Sequence, residues 1–268
     1  IGTPPNAIAL KYLTGADAVS FAEWMAFAVP FVVVLLAFAW ILVGVLYPAG
    51  DEEVNLEIKG RFLKNPKAYL VYGTFAGTII LWLTDFLHGL NAYTVALIPV
   101  GVFLAFGVIT KEELRYISWD VLWLVAGGIA LGLALDKTGL AQHLMESIAF
   151  DSVPAVTVIL AMGVMAALMA NFMSNTATAN LILPLVAVLG TTLPGLVELG
   201  GTRLVVLSTT FACSMGMALP ISTPPNALAF GTGLLETKDL AKPGLIVTVV
   251  GLMLNFLLMF ILKSVNFF

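Results

Sequence analysis

Thr3-Pro4-Pro5-Asn6-Ala7-Ile8-Ala9-Leu10 recurs 220 residues later as Thr223-Pro224-Pro225-Asn226-Ala227-Leu228-Ala229-Phe230. Two consecutive prolines cannot lie inside a regular helix, because each ring removes an N–H donor and clashes with the preceding turn. The second copy nevertheless lies in an apolar, helical stretch over 204–235. Corresponding helix breaks in two halves of a membrane protein point to the binding site of a transporter. We therefore predict two broken helices, one at each copy of this TPPN phrase.

The composition is that of an integral membrane protein. Of the 268 residues, 60% are hydrophobic and 10% are charged, whereas soluble domains average about 45–50% apolar and about 25% charged residues. The mean hydropathy is +1.03. A single cysteine, Cys213, excludes a disulfide framework. The net charge of −4, without a basic tract, argues against a nucleic-acid partner.

Apolar stretches recur along the chain at the length of membrane spans, about 20 residues each. We predict spans over 21–47, 68–87, 92–109, 121–135 and 244–262, with interfacial segments over 111–119 and 139–150. Eight of the twelve lysines and arginines lie in loops on one side. The positive-inside rule makes that side cytoplasmic and places Phe268 outside. Because the chain opens within a broken helix, we expect it to be the C-terminal part of a longer protein.

A polar but uncharged turn divides the apolar region 153–193. Residues 171–180 carry six hydrogen-bonding side chains and no charge. Irregular backbone within a membrane is tolerated only where it is buried in protein or lines a cavity, since each unsatisfied polar group costs several kcal/mol. We therefore predict a re-entrant hairpin with Ser174-Asn175-Thr176 at its tip. Two complete spans would give the same topology for the rest of the chain, so charge does not decide between these alternatives.

The two kinds of helix end at the second TPPN phrase suit two kinds of ion. We expect the first helix to end near Leu219 and to leave carbonyl oxygens free for a small hard cation such as Na⁺. The helix that begins after Pro225 leaves N–H groups at its positive end, which suit a carboxylate or another oxyanion. Such a site needs no charged side chain.

Ser174-Asn175-Thr176, followed by Thr223-Pro224-Pro225-Asn226-Ala227, resembles the second half of the divalent anion/sodium symporter family, which carries dicarboxylates, citrate or sulfate. The resemblance covers essentially the whole chain. It implies an all-α, multi-pass protein of the plasma (inner) membrane, with re-entrant hairpins, broken transmembrane helices and inverted repeats. It also implies a homodimer in the lipid bilayer and elevator movement of a transport domain against a scaffold.

The resemblance implies four regions. Residues 1–20 are the end of the first-repeat transport region, with its broken helix, and residues 21–135 are scaffold helices with a cytoplasmic loop over 48–67 and an interfacial helix over 111–119. Residues 136–235 are the second-repeat transport region, with a hairpin over 153–193 and a broken helix over 204–235. Residues 236–268 are the last transmembrane helix.

The resemblance also implies the ligands of substrate and sodium. The implied substrate-binding residues are Ser174, Asn175, Thr176, Thr223, Thr3 and Pro4. One Na⁺ would be bound by carbonyl oxygens of Ala170, Met173, Ser222 and Pro224 with the Asn175 side chain, and a second by Gly2 with residues of a first hairpin absent from this sequence. Some family members have threonine and glutamate where this chain has Ala170 and Asn171, so Ala170 could contribute only its carbonyl.

The function that we expect is sodium-coupled uptake of small divalent anions, C4-dicarboxylates such as succinate, with Na⁺ as the coupling ion and no organic cofactor. One alternative is a sodium-independent exchanger of the same fold, or citrate or sulfate as the substrate. Another is a proton-coupled or arsenite-type transporter. An intramembrane hydrolase would need an acid pair, or a nucleophile with a base. Asp85 and Asp136 match no such motif, so we do not expect an enzyme.

Overall fold

Helices make up the regular structure of the described residues. The computed structural model describes 3–48, 62–90, 92–116, 153–220 and 222–268, with scattered positions between 119 and 143; Tyr93 and Pro224 are described by their backbone. The prediction of an all-helical chain is confirmed for these residues. Most of the predicted loop 48–67, the predicted span 121–135, the interfacial segment 139–150 and the sodium ligand Gly2 lie outside them, apart from isolated positions.

The described α-helices are α1 (Pro4–Ala9), α2 (Phe21–Leu46), α3 (Pro66–Leu83), α4 (Asp85–His88), α5 (Ala92–Ala105), α6 (Ala155–Phe172), α7 (Asn175–Thr192), α8 (Pro194–Leu199), α9 (Gly201–Cys213), α10 (Pro224–Gly231) and α11 (Thr237–Ser264). Short 3₁₀ helices cover Gly15–Asp17 and Glu113–Tyr116. By length and apolar composition, α2, α6, α7 and α11 could each cross a membrane.

Capping residues explain where several helices begin. Asn65 precedes α3, and its side chain accepts a hydrogen bond from the Ala68 N–H at 2.7 Å. Pro66 occupies the first helical position, where its missing N–H costs nothing. At the start of α11, Glu236 and Asp239 form a reciprocal capping box.

The predicted interfacial helix over 111–119 is described in part and stays a prediction. Its described residues include the 3₁₀ helix Glu113–Tyr116 and the helical Trp119. The Glu113 carboxylate accepts hydrogen bonds from the N–H and hydroxyl of Thr110, at 2.7 and 2.9 Å. The Glu113 N–H in turn donates to the Thr110 hydroxyl oxygen at 3.4 Å, so the two residues form a reciprocal capping arrangement at the start of a helical turn.

The chain divides into two compact units. The first comprises Ile1–Val19, Phe27–Pro48 and Asp120–Phe268, and the second comprises Ser20–Ala26 and Ala49–Trp119. In the second unit, α3 packs on α5, and the Trp82 indole N–H donates to the Ala92 carbonyl at 3.1 Å.

The first unit is built around α9, which packs against α1, α6, α7, α8 and α11. Every residue of 204–213 is buried. Helices α7 and α9 approach so closely at Gly190 that a Cβ atom there would lie 2.6 Å from the Thr202 Cα. This packing brings the start of α7 beside the end of α9.

Candidate binding site at the second helix break

The turn between α6 and α7 is two residues long. Met173 and Ser174 both have extended backbone, with φ/ψ of −113°/177° and −75°/149°. The Ser174 hydroxyl oxygen accepts a hydrogen bond from the Ala177 N–H at 3.1 Å and so caps α7. The hydroxyl keeps its own proton and can still donate to a ligand. Asn175 and Thr176 form the first turn of α7 and are half-buried.

The second break extends over 214–223, between α9 and α10. The prediction that its first helix ends near Leu219 is wrong, because α9 ends at Cys213. Beyond this point the chain packs tightly against α6. A Cβ at Gly216 would lie 2.4 Å from the Ala170 Cβ and 2.7 Å from the Ala170 carbonyl oxygen. Only glycine permits this approach.

Asn175 connects the hairpin turn to the end of α9. One polar atom of its amide lies 3.0 Å from the Gly216 carbonyl oxygen and 3.1 Å from that of Cys213. Carbonyl oxygens only accept hydrogen bonds, so this atom is assigned as Nδ2, which donates to both. The amide thus binds two carbonyls that the end of the helix leaves unpaired.

Asn171, in the last turn of α6, makes a second connection to the break. Its Oδ1 accepts a hydrogen bond from the Ala218 N–H at 2.8 Å, and its Nδ2 donates to the Ala167 carbonyl at 2.8 Å. The side chain is only 4% exposed. Because a buried backbone N–H needs a partner, Asn171 compensates for a helical hydrogen bond that Ala218 cannot form.

The second TPPN phrase closes the break on its other side. The Asn226 Nδ2 donates to the Met217 carbonyl at 2.7 Å and more weakly to that of Leu219 at 3.3 Å. Thr223 is the N-cap residue of α10, and its hydroxyl oxygen accepts from the Asn226 N–H at 3.4 Å. The Ser222 hydroxyl lies 2.5 Å from the Leu219 carbonyl oxygen and accepts from the Leu219 N–H at 3.0 Å.

Helix α11 also contacts the second break, at Met215 and Ala218. The buried Thr248 hydroxyl lies 2.7 Å from the Met215 carbonyl oxygen and 2.8 Å from that of Gly244. A Cβ at Gly244 would lie 2.5 Å from the Ala218 Cα. Side chains from α6, α7, α10 and α11 therefore pair with the Ala218 N–H and with several carbonyls of the break.

The first TPPN phrase forms α1, which packs against α7 and α9. Thr3 and Pro4 are exposed at its start, and the Thr3 side chain makes no capping hydrogen bond. Ile8 and Ala9 are buried at 2% and 0% exposure. The first TPPN phrase thus packs against α7 and α9, the same two helices that contact the second break at the start of α7 and the end of α9.

The other predicted sodium ligands are placed differently from one another. Ala170 is fully buried against Gly216, and Met173 is half-buried in the turn. The contacts described for Ser222 are with Leu219, and Pro224 begins α10. The structure brings Asn175 to Cys213 and Gly216, two carbonyls that the sequence analysis does not name.

A family model described as the sodium:sulfate symporter transmembrane region matches residues 1–264 of this chain. The chain belongs to the sodium:sulfate symporter family. This membership confirms the predicted resemblance. With its apolar helices, this member of the sodium:sulfate symporter family is a multi-pass integral membrane protein.

Relatives of this symporter-family chain include several transporters. It is 28% identical to a sodium-dependent dicarboxylate transporter of Staphylococcus saprophyticus, over 98% of this chain and 55% of the relative. It is 25% identical to Na⁺/dicarboxylate cotransporter 3 of Mus musculus, over 94% and 51%. It is 27% identical to an uncharacterized transporter of Haemophilus influenzae, over 93% and 56%. The chain spans about half the length of these relatives.

Sequence reasoning missed three side chains that hold the break of this symporter-family chain. Asn226 is part of the duplicated phrase, so the repetition could have identified it. Asn171 belongs to the polar stretch before the turn, where the sequence shows a hydrogen-bonding side chain but does not indicate its partner, the Ala218 N–H. Thr248 lies in an ordinary apolar span, and no local signal marks it.

Proposed function

We propose that the whole protein is a secondary active transporter that couples Na⁺ to the uptake of small divalent anions, specifically C4-dicarboxylates such as succinate. One observation carries this proposal: an uncharged hairpin turn meets a broken helix through the Asn175 amide, 3.0 and 3.1 Å from two carbonyls. Family membership and the relatives named as sodium-dependent dicarboxylate transporters support it.

Substrate carboxylates would bind at the start of α7. The hydroxyls of Ser174, Thr176 and Thr223 and the amide of Asn175 can donate hydrogen bonds, and Thr3 and Pro4 would contact the substrate from the first break. The positive end of a helix stabilises an anion by about 0.3–1 kcal/mol at an exposed site. Since these donors are neutral, the site binds a dianion without a permanent counter-charge.

Sodium would bind between the turn that precedes α7 and the second break. The proposed ligands of one ion are the carbonyls of Ala170, Met173, Ser222 and Pro224 with the Asn175 side chain, and Gly2 would contribute to a second ion. Neutral oxygens are suitable ligands for hard cations. Cation and dianion then neutralise part of each other's charge within the membrane.

The movement that we propose is of the elevator type, within a homodimer in the plasma (inner) membrane. Residues 1–20 and 136–235 would form the moving transport region, with 153–193 as a re-entrant hairpin, and 21–135 the scaffold. Fixed hydrogen bonds from Asn171, Asn175 and Asn226 support movement of the hairpin turn and the second break as one body.

Uptake of radiolabelled succinate by the full-length protein in proteoliposomes tests the function. Internal dicarboxylate is omitted, and uptake is compared with and without an inward Na⁺ gradient. We expect accumulation only with the gradient. Uptake that requires preloaded dicarboxylate would identify an exchanger instead. Gradient-dependent accumulation of labelled citrate or sulfate without accumulation of labelled succinate would contradict the C4-dicarboxylate assignment.

A further inference from the structure

An open cavity of about 580 Å³ lies in the first unit, at the other end of α9 from the second break. It is lined by residues from the end of α7, from α8, from the start of α9 and from the end of α11, and by Asp17 of the first 3₁₀ helix. None of the proposed substrate or sodium ligands lines it. We call it the α9 cavity.

The start of α9 opens into the α9 cavity without a cap. Gly200 is the N-cap residue and has no side chain that could accept a hydrogen bond. The N–H groups of Gly201 and Thr202 have no hydrogen-bond partner among the described residues. Because α9 is 13 residues long, its aligned peptide groups give this end a positive character that suits an oxyanion.

The Thr202 side chain is an independent sign of a ligand. Thr202 lines the α9 cavity and is only 6% exposed, yet its hydroxyl has no hydrogen-bond partner within the described part of the chain. A buried hydroxyl without a partner costs about 1–3 kcal/mol. Its oxygen carries a proton, so it can donate to an anion bound at the start of α9.

Lys263 adds a positive charge to the same cavity. Its ammonium donates to the Glu198 carbonyl at 3.3 Å, which leaves two N–H bonds for a ligand. Two backbone N–H groups, one hydroxyl and one ammonium therefore surround a single open space. Phosphate oxygens are well matched to such donors.

Two carboxylates exclude a simple anion as the ligand. Asp17 and Glu198 also line the α9 cavity, and neither forms an ion pair with Lys263 or with another described cation. Unpaired carboxylates repel an anion and attract a cation. The arrangement therefore suits a ligand that carries both a phosphate and an ammonium group.

The α9 cavity lies at the depth of the lipid headgroups. Lys263 is the first charged residue after the apolar run 244–262 of α11, and charged residues at the end of a membrane span mark the interface. Val197, which is 52% exposed, gives the cavity an apolar edge. A phospholipid in the adjoining leaflet can thus present its headgroup to the polar walls while its acyl chains stay in the bilayer.

We propose that the α9 cavity binds the phosphoethanolamine headgroup of a membrane phospholipid. The phosphate binds to the N–H groups of Gly201 and Thr202, to the Thr202 hydroxyl and to Lys263. The ammonium group binds to the carboxylates of Asp17 and Glu198. This site is separate from the substrate site and does not depend on the proposed function.

Native mass spectrometry of the full-length protein in detergent tests this inference, because the mass of a complex identifies the bound lipid. Phosphatidylethanolamine, phosphatidylcholine and phosphatidylglycerol are added separately, and the affinities of the first bound lipid are compared. All three carry a phosphate, but only the ethanolamine lipid also carries an ammonium that donates hydrogen bonds. We expect it to bind more tightly than the choline lipid by about 2- to 10-fold, the value of one hydrogen bond, and the glycerol lipid to bind most weakly.

Thr202→Val keeps the shape of the side chain and removes the hydroxyl, so it should weaken binding of the ethanolamine lipid by about 2- to 10-fold. Thr191→Val is the matched control. Thr191 lines the same cavity, but its hydroxyl already donates to the Val188 carbonyl at 2.8 Å, so its removal should leave the affinity unchanged.

Charge variants test the two ends of the headgroup. Lys263→Gln should weaken binding by about 1.5- to 5-fold, as expected for an exposed ion pair, whereas Lys238→Gln near the other end of α11 should not. In Asp17→Asn/Glu198→Gln the preference for the ethanolamine over the glycerol lipid should fall, because the carboxylates no longer select the ammonium. Elution as a single species on size-exclusion chromatography establishes that each variant is folded.

Equal affinities of the wild type for the three lipids, or tightest binding of the glycerol lipid, would overturn the proposal. Unchanged affinity in folded Thr202→Val would overturn the placement of the phosphate at the start of α9. Free phosphoethanolamine distinguishes the source of the group: if it binds while the lipids show no preference, the lipid source is wrong. Succinate is absent from these measurements, so failure of the proposed function would leave their outcome unchanged.

Discussion

At the scale of single residues, three asparagines perform the task that helical hydrogen bonds perform elsewhere. Asn171, Asn175 and Asn226 pair with the N–H and carbonyl groups of 213–219, which leaves the helix after Cys213. An amide suits this task because it carries an acceptor and a donor on one rigid group. Removing one such side chain leaves buried backbone groups unpaired rather than merely losing a contact.

Asn171→Leu should destabilise the protein. The substitution keeps the apolar volume but leaves the Ala218 N–H without its acceptor, which costs about 1–3 kcal/mol for a buried group. The apparent melting temperature of the purified full-length protein measures the effect. Succinate binding in saturating Na⁺, measured below that temperature, distinguishes instability from direct loss of a ligand. An unchanged melting temperature would contradict the role assigned to Asn171.

Asn180→Leu, unlike Asn171→Leu, should leave the melting temperature unchanged or raise it. Asn180 is 5% exposed, and neither polar atom of its side chain has a hydrogen-bond partner among the described residues. Replacing an unpaired polar side chain by an apolar one of similar shape is neutral or stabilising. A fall in melting temperature as large as that of Asn171→Leu would mean that Asn180 has a partner in the full-length protein.

At the scale of helices, the site depends on how closely α7 and α9 approach. Gly190 and Thr202 lie at one end of this helix pair, and Asn175 and Cys213 lie at the other. A displacement at the first end alters the angle between the helices. The hydrogen bonds at the second end would then lengthen, although no residue of the site has changed.

Gly190→Ala should therefore destabilise the helix pair and weaken succinate binding. The new Cβ would lie 2.6 Å from the Thr202 Cα and 2.7 Å from its nitrogen, and backbone atoms cannot move aside independently. Overpacking of this kind costs about 1–3 kcal/mol. Gly77→Ala is the control: among the described residues, no atom outside its own stretch of helix lies within 4 Å of its new Cβ, and alanine favours the helix by about 1 kcal/mol. Equal melting temperatures for the two variants would refute the close approach.

At the scale of the whole molecule, the family and the long apolar helices make this a multi-pass membrane protein. The distribution of basic residues predicts its orientation. The start of α11 belongs to the side rich in lysine and arginine, and its end belongs to the other side. With 28 residues at about 1.5 Å each, α11 is longer than the hydrocarbon core of about 30 Å.

Cysteine labelling in intact cells tests this orientation. Cys213 is buried, so it should contribute little background to a membrane-impermeant maleimide. A cysteine in place of Ser264 should be labelled from outside. A cysteine in place of Lys238, whose side chain is 75% exposed, should be labelled only after permeabilisation. The reverse pattern would invert the topology.

Local patterns predicted the parts of the fold that depend on neighbouring residues. The apolar stretches predicted helices, and the proline pairs marked two interruptions. The polar run Ser174-Asn175-Thr176 marked the turn between two apolar helices, where the structure shows Ser174 as the N-cap of the second helix. The end of α9 was predicted six residues too late, since nothing local stops a helix at Cys213. Asn175, 38 positions earlier, pairs with the carbonyl of Cys213 at this end and with that of Gly216 in the break beyond it.

The two TPPN phrases separate what the sequence determines from what the tertiary structure decides. Thr3 and Thr223 both have extended backbone, at φ/ψ of −125°/145° and −140°/148°, and a helix begins at the next residue in both copies. Proline geometry alone requires this, because it restricts the preceding residue and suits the first helical turn. Yet Ile8 is 2% exposed and the corresponding Leu228 is 76% exposed. Burial depends on what packs against the helix: α7 and α9 pack against the first copy, and among the described residues no such cover lies over Leu228.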